Sequence, residues 1–380
     1  MPKRRRKERE FLMSTLFKPG NIGQMEAKNR FVRSATAESA ADETGSITDR
    51  FFGIYRTLAE GGIGLIITGH AYVQPNGKAG PGQTGVYKDD LVPGLRQLAN
   101  EVHNASPDCR IAVQISHAGR QVARSVVNDP VAPSAVTDAA TGTTPREMTE
   151  TEIEECINSF ADAAGRVKIA GFDAVQIHSA HGFLISSFNS PHTNRRTDKW
   201  GGSLENRMRF LMETYRGIRA KVGDDYPVMV KLNGVDFVDD GIEIGESVQI
   251  ARALADEGID AIEVSGGMYE SYKGKNAVRT RIRKPEQEAY FLPHAEEIKR
   301  AVGDVPVIAV GGIRSVPIME GIISEGKADF ISLCRPFIRE PDLPEKIRES
   351  KEKADCISCN GCMSSRVDSL RCAQIPEGDQ

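Results

Sequence analysis

Eight short apolar runs, each followed by a segment of helical period, set the tightest limit on what this chain can become. The runs are Arg30–Ala35, Gly64–Thr68, Ile111–Ser116, Ala174–His178, Pro227–Leu232, Ala261–Ser265, Pro306–Val310 and Asp329–Leu333. Short, β-branched and apolar throughout, they read as strands of a parallel sheet buried on both faces. The helical segments between and after them are Asp49–Glu60, Val92–Asn104, Thr149–Ala170, Leu204–Val222, Ile244–Glu257, Ala289–Val302, Pro317–Glu325 and Asp342–Lys351. Thr149 and Glu152 stand at capping-box spacing and fix the start of the third helix. IAGFDAV, DEGIDAI and SEGKADFI each put a glycine after a helix and an aspartate before a strand, the chemistry of an αβ turn. Strict βα alternation of this kind predicts the α/β class and a TIM (β/α)8 barrel. A doubly wound sheet is the alternative, and eight βα units suit closure better.

The barrel takes residues 14–350 as one domain, although 380 residues would allow two or three at about 150 each. Residues 1–13 are expected to be a basic, disordered tail, and residues 351–380 a short Cys-rich extension that could hold an iron–sulfur cluster. The first ten residues hold six basic and two acidic side chains, net +4, so the rest of the chain carries −8 of the overall −4. The tail could touch nucleic acid or anionic lipid, but a solvated extension is the simpler reading, with Met13 an alternative start. The charge balance gives no general case for nucleic-acid binding. No apolar run approaches the roughly 18 residues of a membrane span, and no signal-like h-region follows the tail. A cytoplasmic enzyme is expected.

In a barrel of this type the working face is built from the loops after the strands. Here those loops are the long ones: Thr36–Thr48, His117–Met148, Ser179–Ser203 and Gly266–Glu288. His178 and His181 lie just past the fourth strand and can donate hydrogen bonds to a developing oxyanion or bind a metal. No third metal ligand stands nearby in sequence, which favours carbonyl polarisation. Lys231 closes the fifth run, where a buried cation needs an anion, either a ligand or a neighbouring aspartate. Gln114 closes the third and offers both donor and acceptor. Gly311 and Gly312 after strand seven and Arg335 after strand eight form the usual phosphate site of the barrel. Gly80–Gly85 matches GxGxxG, but it neither follows a strand nor opens a helix, so the dinucleotide reading fails.

Of the seven cysteines, Cys109, Cys156 and Cys334 are scattered, whereas Cys356, Cys359, Cys362 and Cys372 crowd into the extension. Thiolates at that spacing can wrap a tetrahedral zinc or the corners of an iron–sulfur cluster. A disulfide framework belongs to small secreted domains instead.

From Leu16 to Cys372 the chain resembles the Old Yellow Enzyme group of NADH:flavin oxidoreductases. The carriers are RFVRSAT, VQISHAGRQ, QIHSAHGFL, the long SPHTNRRTDKWGGSLENRMRF at Ser190–Phe210, and GGI with CRPFIREPDLP. The Cys-rich end is similar to the subgroup containing 2,4-dienoyl-CoA reductase and trimethylamine dehydrogenase, which carry a [4Fe–4S] cluster after the barrel. The resemblance implies FMN, with Ala35, Thr36, Gly69 and Gln114 around the isoalloxazine and Lys231 near flavin N1 and O2, and Ala37 in place of a linking cysteine makes it noncovalent. It implies Gly311, Gly312 and Arg335 at the phosphate, and His178 and His181 over the flavin. It further implies NAD(P)H as reductant, an activated alkene such as an enone or enoate as substrate, and a homo-oligomer.

Three features depart from the pattern. Phe183 stands where many ene-reductases have the tyrosine that protonates the substrate α carbon, and a phenyl ring has no proton to give. Tyr269 then becomes the candidate proton donor, against a surface tyrosine on a loop. Ala37 occupies a position where relatives tune or covalently link the flavin. The shorter gap before Cys372, and the absence here of the FAD- and NADH-binding domains of the larger relatives, bear on whether a cluster assembles. The basic residues of the sixth loop could guide an anionic substrate such as a CoA ester, or simply be solvated. Alternatives are an amine dehydrogenase or demethylase, a phosphate-binding lyase or isomerase without flavin, and an electron-transfer or sensor module.

Overall fold

The computed structural model of the chain describes residues 14–123, 125–364 and 370–376. The basic segment 1–13 lies outside them, as do residues 365–369 and 377–380 of the extension. All eight apolar runs are strands: β1 Phe31–Arg33, β2 Leu65–Ile67, β3 Arg110–Ser116, β4 Ala174–Ser179, β5 Val228–Asn233, β6 Ala261–Ser265, β7 Val307–Val310 and β8 Phe330–Leu333. Each pairs in parallel with the next and β8 pairs with β1, so the sheet closes. The connecting helices are α1 Asp49–Glu60, α2 Val92–Ala105, α3 Glu150–Ile169, α4 Leu204–Val222, α5 Ile244–Asp256, α6 Leu292–Ala301 and α7 Val316–Ser324. After β8 the predicted last helix forms as Leu343–Arg348, and a further short helix, Arg335–Arg339, precedes it and ends ahead of Pro341.

Local chemistry sets these boundaries. Thr149 is the N-cap of α3: its Oγ1 accepts the Glu152 N–H at 3.3 Å, and its own N–H donates to Glu152 Oε2 at 2.8 Å. Gly171, Gly258 and Gly326 take left-handed φ values of 89°, 85° and 67° at the three αβ turns foreseen. Along α4, Phe210, Thr214 and Ile218 recur at helical spacing and are buried, and the helix packs against α3.

Inside the barrel, β-period alternation sorts the side chains by height. Val32, Leu65, Ile67, Ala112, Ala174, Met229, Ala261, Ile308 and Phe330 form the apolar lower layers. A hairpin that the sequence reading missed, Gly20–Ile22 with Met25–Ala27, closes the bottom with Ile22, Met25 and Ala27. Two residues further along the strands the inward positions turn polar, with Ser34, Gln114, Gln176, Lys231, Glu263 and Ser332 all buried. That polar layer is the floor of the mouth.

The long, highly specific Ser190–Phe210 segment is a clamp on the fourth loop. Arg196 holds Asp198 and donates to the carbonyls of Pro133 and Met148, Asn194 donates to the carbonyls of Phe188 and Trp200, and Arg207 pairs with Glu246. The Cys-rich extension packs beside the ends of β7 and β8. The Ala354 N–H donates to Arg314 O at 2.9 Å and the Val316 N–H to Glu352 O at 2.9 Å. Among the described residues no helix is long and apolar enough to cross a membrane.

Candidate active site at the barrel mouth

Lys231 and Glu263 face each other across β5 and β6, as register partners, at 3.2 Å. Glu263 Oε1 also accepts the hydroxyls of Ser34 and Ser332, both at 2.8 Å, and its Oε2 accepts Gln176 Nε2 at 2.9 Å. Gln114 Nε2 donates to Gln176 Oε1 at 2.7 Å, which extends the network to β3. Burial pushes the Glu263 carboxyl up, yet Lys231 and then the three donors outweigh it and hold the group below its usual range. The anion that Lys231 needs is therefore Glu263 from the next strand, and not an aspartate. A glutamate inside the apolar run AIEVS was the available signal, legible only once strand register is known.

Above this floor the β4 loop brings His178 and His181 together, ring centroids 5.3 Å apart. His178 Nδ1 accepts the Ala180 N–H at 3.3 Å, so the neutral ring carries its proton on Nε2. His181 Nε2 lies 2.7 Å from Ser265 Oγ, and its N–H donates to Asn233 Oδ1. A third imidazole, His70 from the end of β2, was not foreseen. It lies 5.9 Å from His178 and edge-on to Phe183 at 4.9 Å, while Phe183 stacks on His178 at 4.4 Å. Gln83 Oε1 accepts the Ala79 N–H, which turns its Nε2 toward His70 Nδ1 at 2.8 Å. Gln83 Nε2 thus donates to His70 Nδ1, which leaves Nε2 as that ring's donor nitrogen.

Burial, then His181, His70 and Lys231, hold His178 far below the ordinary histidine range. Burial, then Lys231 and His70, do the same for His181. Burial alone lowers His117 to about 3. All three are neutral donors at neutral pH. Their folded values lie below the unfolded 6.5, so the unfolded chain takes up protons first as the medium is acidified. Stability is expected to be complete above about pH 6.5 and to fall below it by up to about 1.4 kcal/mol per pH unit for each histidine. Urea unfolding between pH 7 and 5 checks this, and a flat stability across that window contradicts it.

A cavity opens from the floor toward the ends of β7 and β8. Ala35, Lys231, His181, Gly311, Gly312 and Arg335 line it, together with Tyr290 and Phe291. The two glycines adopt φ of 121° and 72°, and a Cβ on Gly312 would stand 2.6 Å from Tyr290 Cε1. Only glycine leaves this stretch of backbone open to a ligand. Arg335 is buried, with Nη1 donating to Arg279 O and Asn360 Oδ1, both at 2.7 Å. Lys231, expected at the floor, and Gly311, Gly312 and Arg335, expected at a phosphate, thus line one and the same cavity.

Thr36, Gly69 and Gln114, expected beside them, are not among this cavity's lining residues. Thr36 Oγ1 is held by Ser34 O and Cys334 Sγ, and Gly69 gives its N–H to Glu38 and accepts Thr68 Oγ1 on its carbonyl. Tyr269 does not join the histidines: it is 57% exposed on the sixth loop. Its neighbour Glu270 turns inward to pair with buried Arg120 and to meet His192 at 3.3 Å, tying the third, fourth and sixth loops together. Cys356, Cys359, Cys362 and Cys372 line one small cavity, with Arg335 and Arg339 on its other side. None is in a disulfide. Among the described residues no three His, Cys, Asp or Glu side chains stand as a ready-made metal group.

The profile of the NADH:flavin oxidoreductase / NADH oxidase family matches residues 15–354. The chain belongs to this family of FMN-dependent oxidoreductases. Within the NADH:flavin oxidoreductases it is 42% identical over 372 residues to the NADH oxidase of Thermoanaerobacter brockii, covering 95% of this chain and 56% of that protein. It is 37% identical to the NADPH dehydrogenase of Geobacillus sp. (strain WCH70), covering 87% of this chain and 92% of the relative. The chain therefore spans about half of the larger oxidase and nearly all of the smaller dehydrogenase. Among solved structures, 2-naphthoyl-CoA reductase in complex with 2-naphthoyl-CoA superposes with a TM-score of 0.88 at 32% identity, over 95% of this chain and 57% of that one. The Old Yellow Enzyme homologue of Zymomonas mobilis gives 0.76 at 27% identity, over 90% and 95%. Histamine dehydrogenase from Rhizobium sp. 4-9 gives 0.82 at 28%, over 95% and 52%.

Proposed function

We propose that this chain is the FMN-binding barrel of an NAD(P)H oxidoreductase that reduces the carbon–carbon double bond of an α,β-unsaturated carbonyl compound. The observation that carries the reading is the pair of neutral imidazoles, His178 and His181, above a cavity floored by Lys231. When bound, FMN supplies hydride chemistry at its N5 position. Lys231 would hold the N1–O2 edge, and Gly311, Gly312 and Arg335 the phosphate. His178 and His181 orient the substrate carbonyl and stabilise the enolate oxygen by hydrogen bonds that strengthen as charge develops there. Ala35, Thr36, Gly69 and Gln114 shape the wall behind the ring.

Two side chains compete to protonate the α carbon in place of Phe183. Tyr269 requires the sixth loop to carry it inward, whereas His70 already lies against Phe183. Tyr269→Phe and His70→Gln, compared in the oxidative half-reaction alone, identify the donor by which of them slows it.

A yellow protein absorbing near 450 nm that turns over NAD(P)H with cyclohexenone-type substrates supports the proposal. A colourless chain that cannot be reconstituted with FMN overturns it. The amine-dehydrogenase reading draws on the likeness to histamine dehydrogenase, and oxidation of tertiary amines is its test. It fares worse because Lys231 and His181 line the cavity, while the floor carboxylate, Glu263, is already paired and fully buried. A basic sixth loop and the likeness to 2-naphthoyl-CoA reductase favour thioesters among the unsaturated carbonyl substrates.

Gly312→Ala is expected to weaken FMN binding at least about tenfold, since the new Cβ must displace Tyr290 at a left-handed φ. Release of flavin on dilution, followed by fluorescence, checks it.

The extension's four thiols fit an iron–sulfur cluster by donor chemistry, with zinc as the alternative. Anaerobic reconstitution with iron and sulfide should give a brown shoulder bleached by dithionite, lost in Cys362→Ser. Uptake of colourless zinc alone overturns the cluster, and uptake of neither metal overturns both.

A further inference from the structure

Lys231 is not a lone cation beneath the cavity. Its Nζ donates to Ser34 Oγ at 2.8 Å and to Glu263 Oε1 at 3.2 Å, and the Ser34 hydroxyl donates a hydrogen bond in turn to that carboxylate oxygen. Ser332 and Gln176 donate to Glu263 as well. Every neighbour that hydrogen-bonds to Glu263 gives a proton and none accepts one, so the network is built for the ionised carboxylate. Lys231, Ser34 and Ser332 line the cavity, whereas Glu263 lies beneath them at 0% exposure. No solvent screens the carboxylate from whatever occupies the space above.

We propose that Glu263 is a positioning residue that pins Lys231 at the cavity floor and cancels its charge, so keeping the reduction potential of the bound flavin low. The inference rests on the FMN reading above and goes beyond it. Reduction places negative charge on the N1–O2 edge of a flavin, and a lone lysine in a buried site would favour that state strongly. A carboxylate one strand away offsets much of this preference. The floor is then close to neutral, which makes hydride delivery to an unsaturated carbonyl easier and hydride uptake from NAD(P)H harder. A site that must do both needs that balance.

The test compares FMN-loaded wild type with Glu263→Gln, Glu263→Met and the charge-conserving Glu263→Asp. Spectroelectrochemical titration should find both neutral variants raised by about 30 mV or more, which is a tenfold gain in the affinity for reduced over oxidised FMN for a two-electron couple. Glu263→Asp should stay near wild type. Stopped-flow half-reactions should move in opposite directions in the neutral variants, with faster reduction by NAD(P)H and slower oxidation by substrate. A carboxylate with only a structural role would slow both. An unchanged potential in the neutral variants overturns the inference, as does loss of FMN from both while Glu263→Asp retains it. A wild-type chain that takes up no FMN overturns the underlying cofactor reading instead.

Discussion

Lys231→Met is expected to lower the unfolding free energy by about 3–5 kcal/mol, the largest effect of any single change at the site. It leaves the Glu263 carboxylate fully buried with its cation gone and only Ser34, Ser332 and Gln176 to satisfy it. In the native chain Lys231 is the chief influence holding that carboxyl down against burial. Without it, burial prevails and the folded value rises above the unfolded one. A carboxyl raised in this way supports the fold in acid and withdraws that support as pH climbs through its folded value. The gap between variant and wild type should therefore be small near pH 4 and wide at pH 7. Adding Glu263→Gln should recover most of the loss, because the buried charge is then gone. Denaturant unfolding of the single and double variants at both pH values checks the argument, and a cost independent of pH refutes it.

His178→Ala should lower turnover of an unsaturated carbonyl substrate by about 100- to 1000-fold, the usual consequence of removing one oxyanion donor. Reduction by NAD(P)H should change only a few-fold, since the donor acts on the substrate oxygen. His178 also stacks on Phe183, so His178→Asn, which keeps a donor, separates packing from hydrogen bonding. The charge state gives a second check. Neutral donors predict a rate that does not fall between pH 6.5 and 8.5 through loss of a histidine proton, whereas an imidazolium mechanism predicts that it does. Stopped-flow oxidation of the reduced enzyme across that range decides between them.

The eight strands and the barrel class were legible in the chain because periodicity is a local property. His178, His181, Lys231, Gly311, Gly312 and Arg335 could each be singled out as a candidate by its offset from a strand end. The short Gly20–Ile22 and Met25–Ala27 hairpin was not legible, since three-residue strands carry too little pattern to stand out.

Other misses have a different cause. Glu263 reads as an oddity in an apolar run until β5 and β6 are set in register, when it becomes the partner of Lys231. His70 lies 108 positions before His178 in the sequence and meets it only because β2 and β4 end at the same rim. Gly69, expected at the flavin, has both backbone groups taken by Glu38 and Thr68, which no spacing rule reveals. The sequence by itself determined the architecture and the types of chemical group at the mouth, because those follow from what each strand carries at its end. Only the tertiary structure decided which groups share a proton or a charge, because pairing depends on register and closure between strands far apart in the chain.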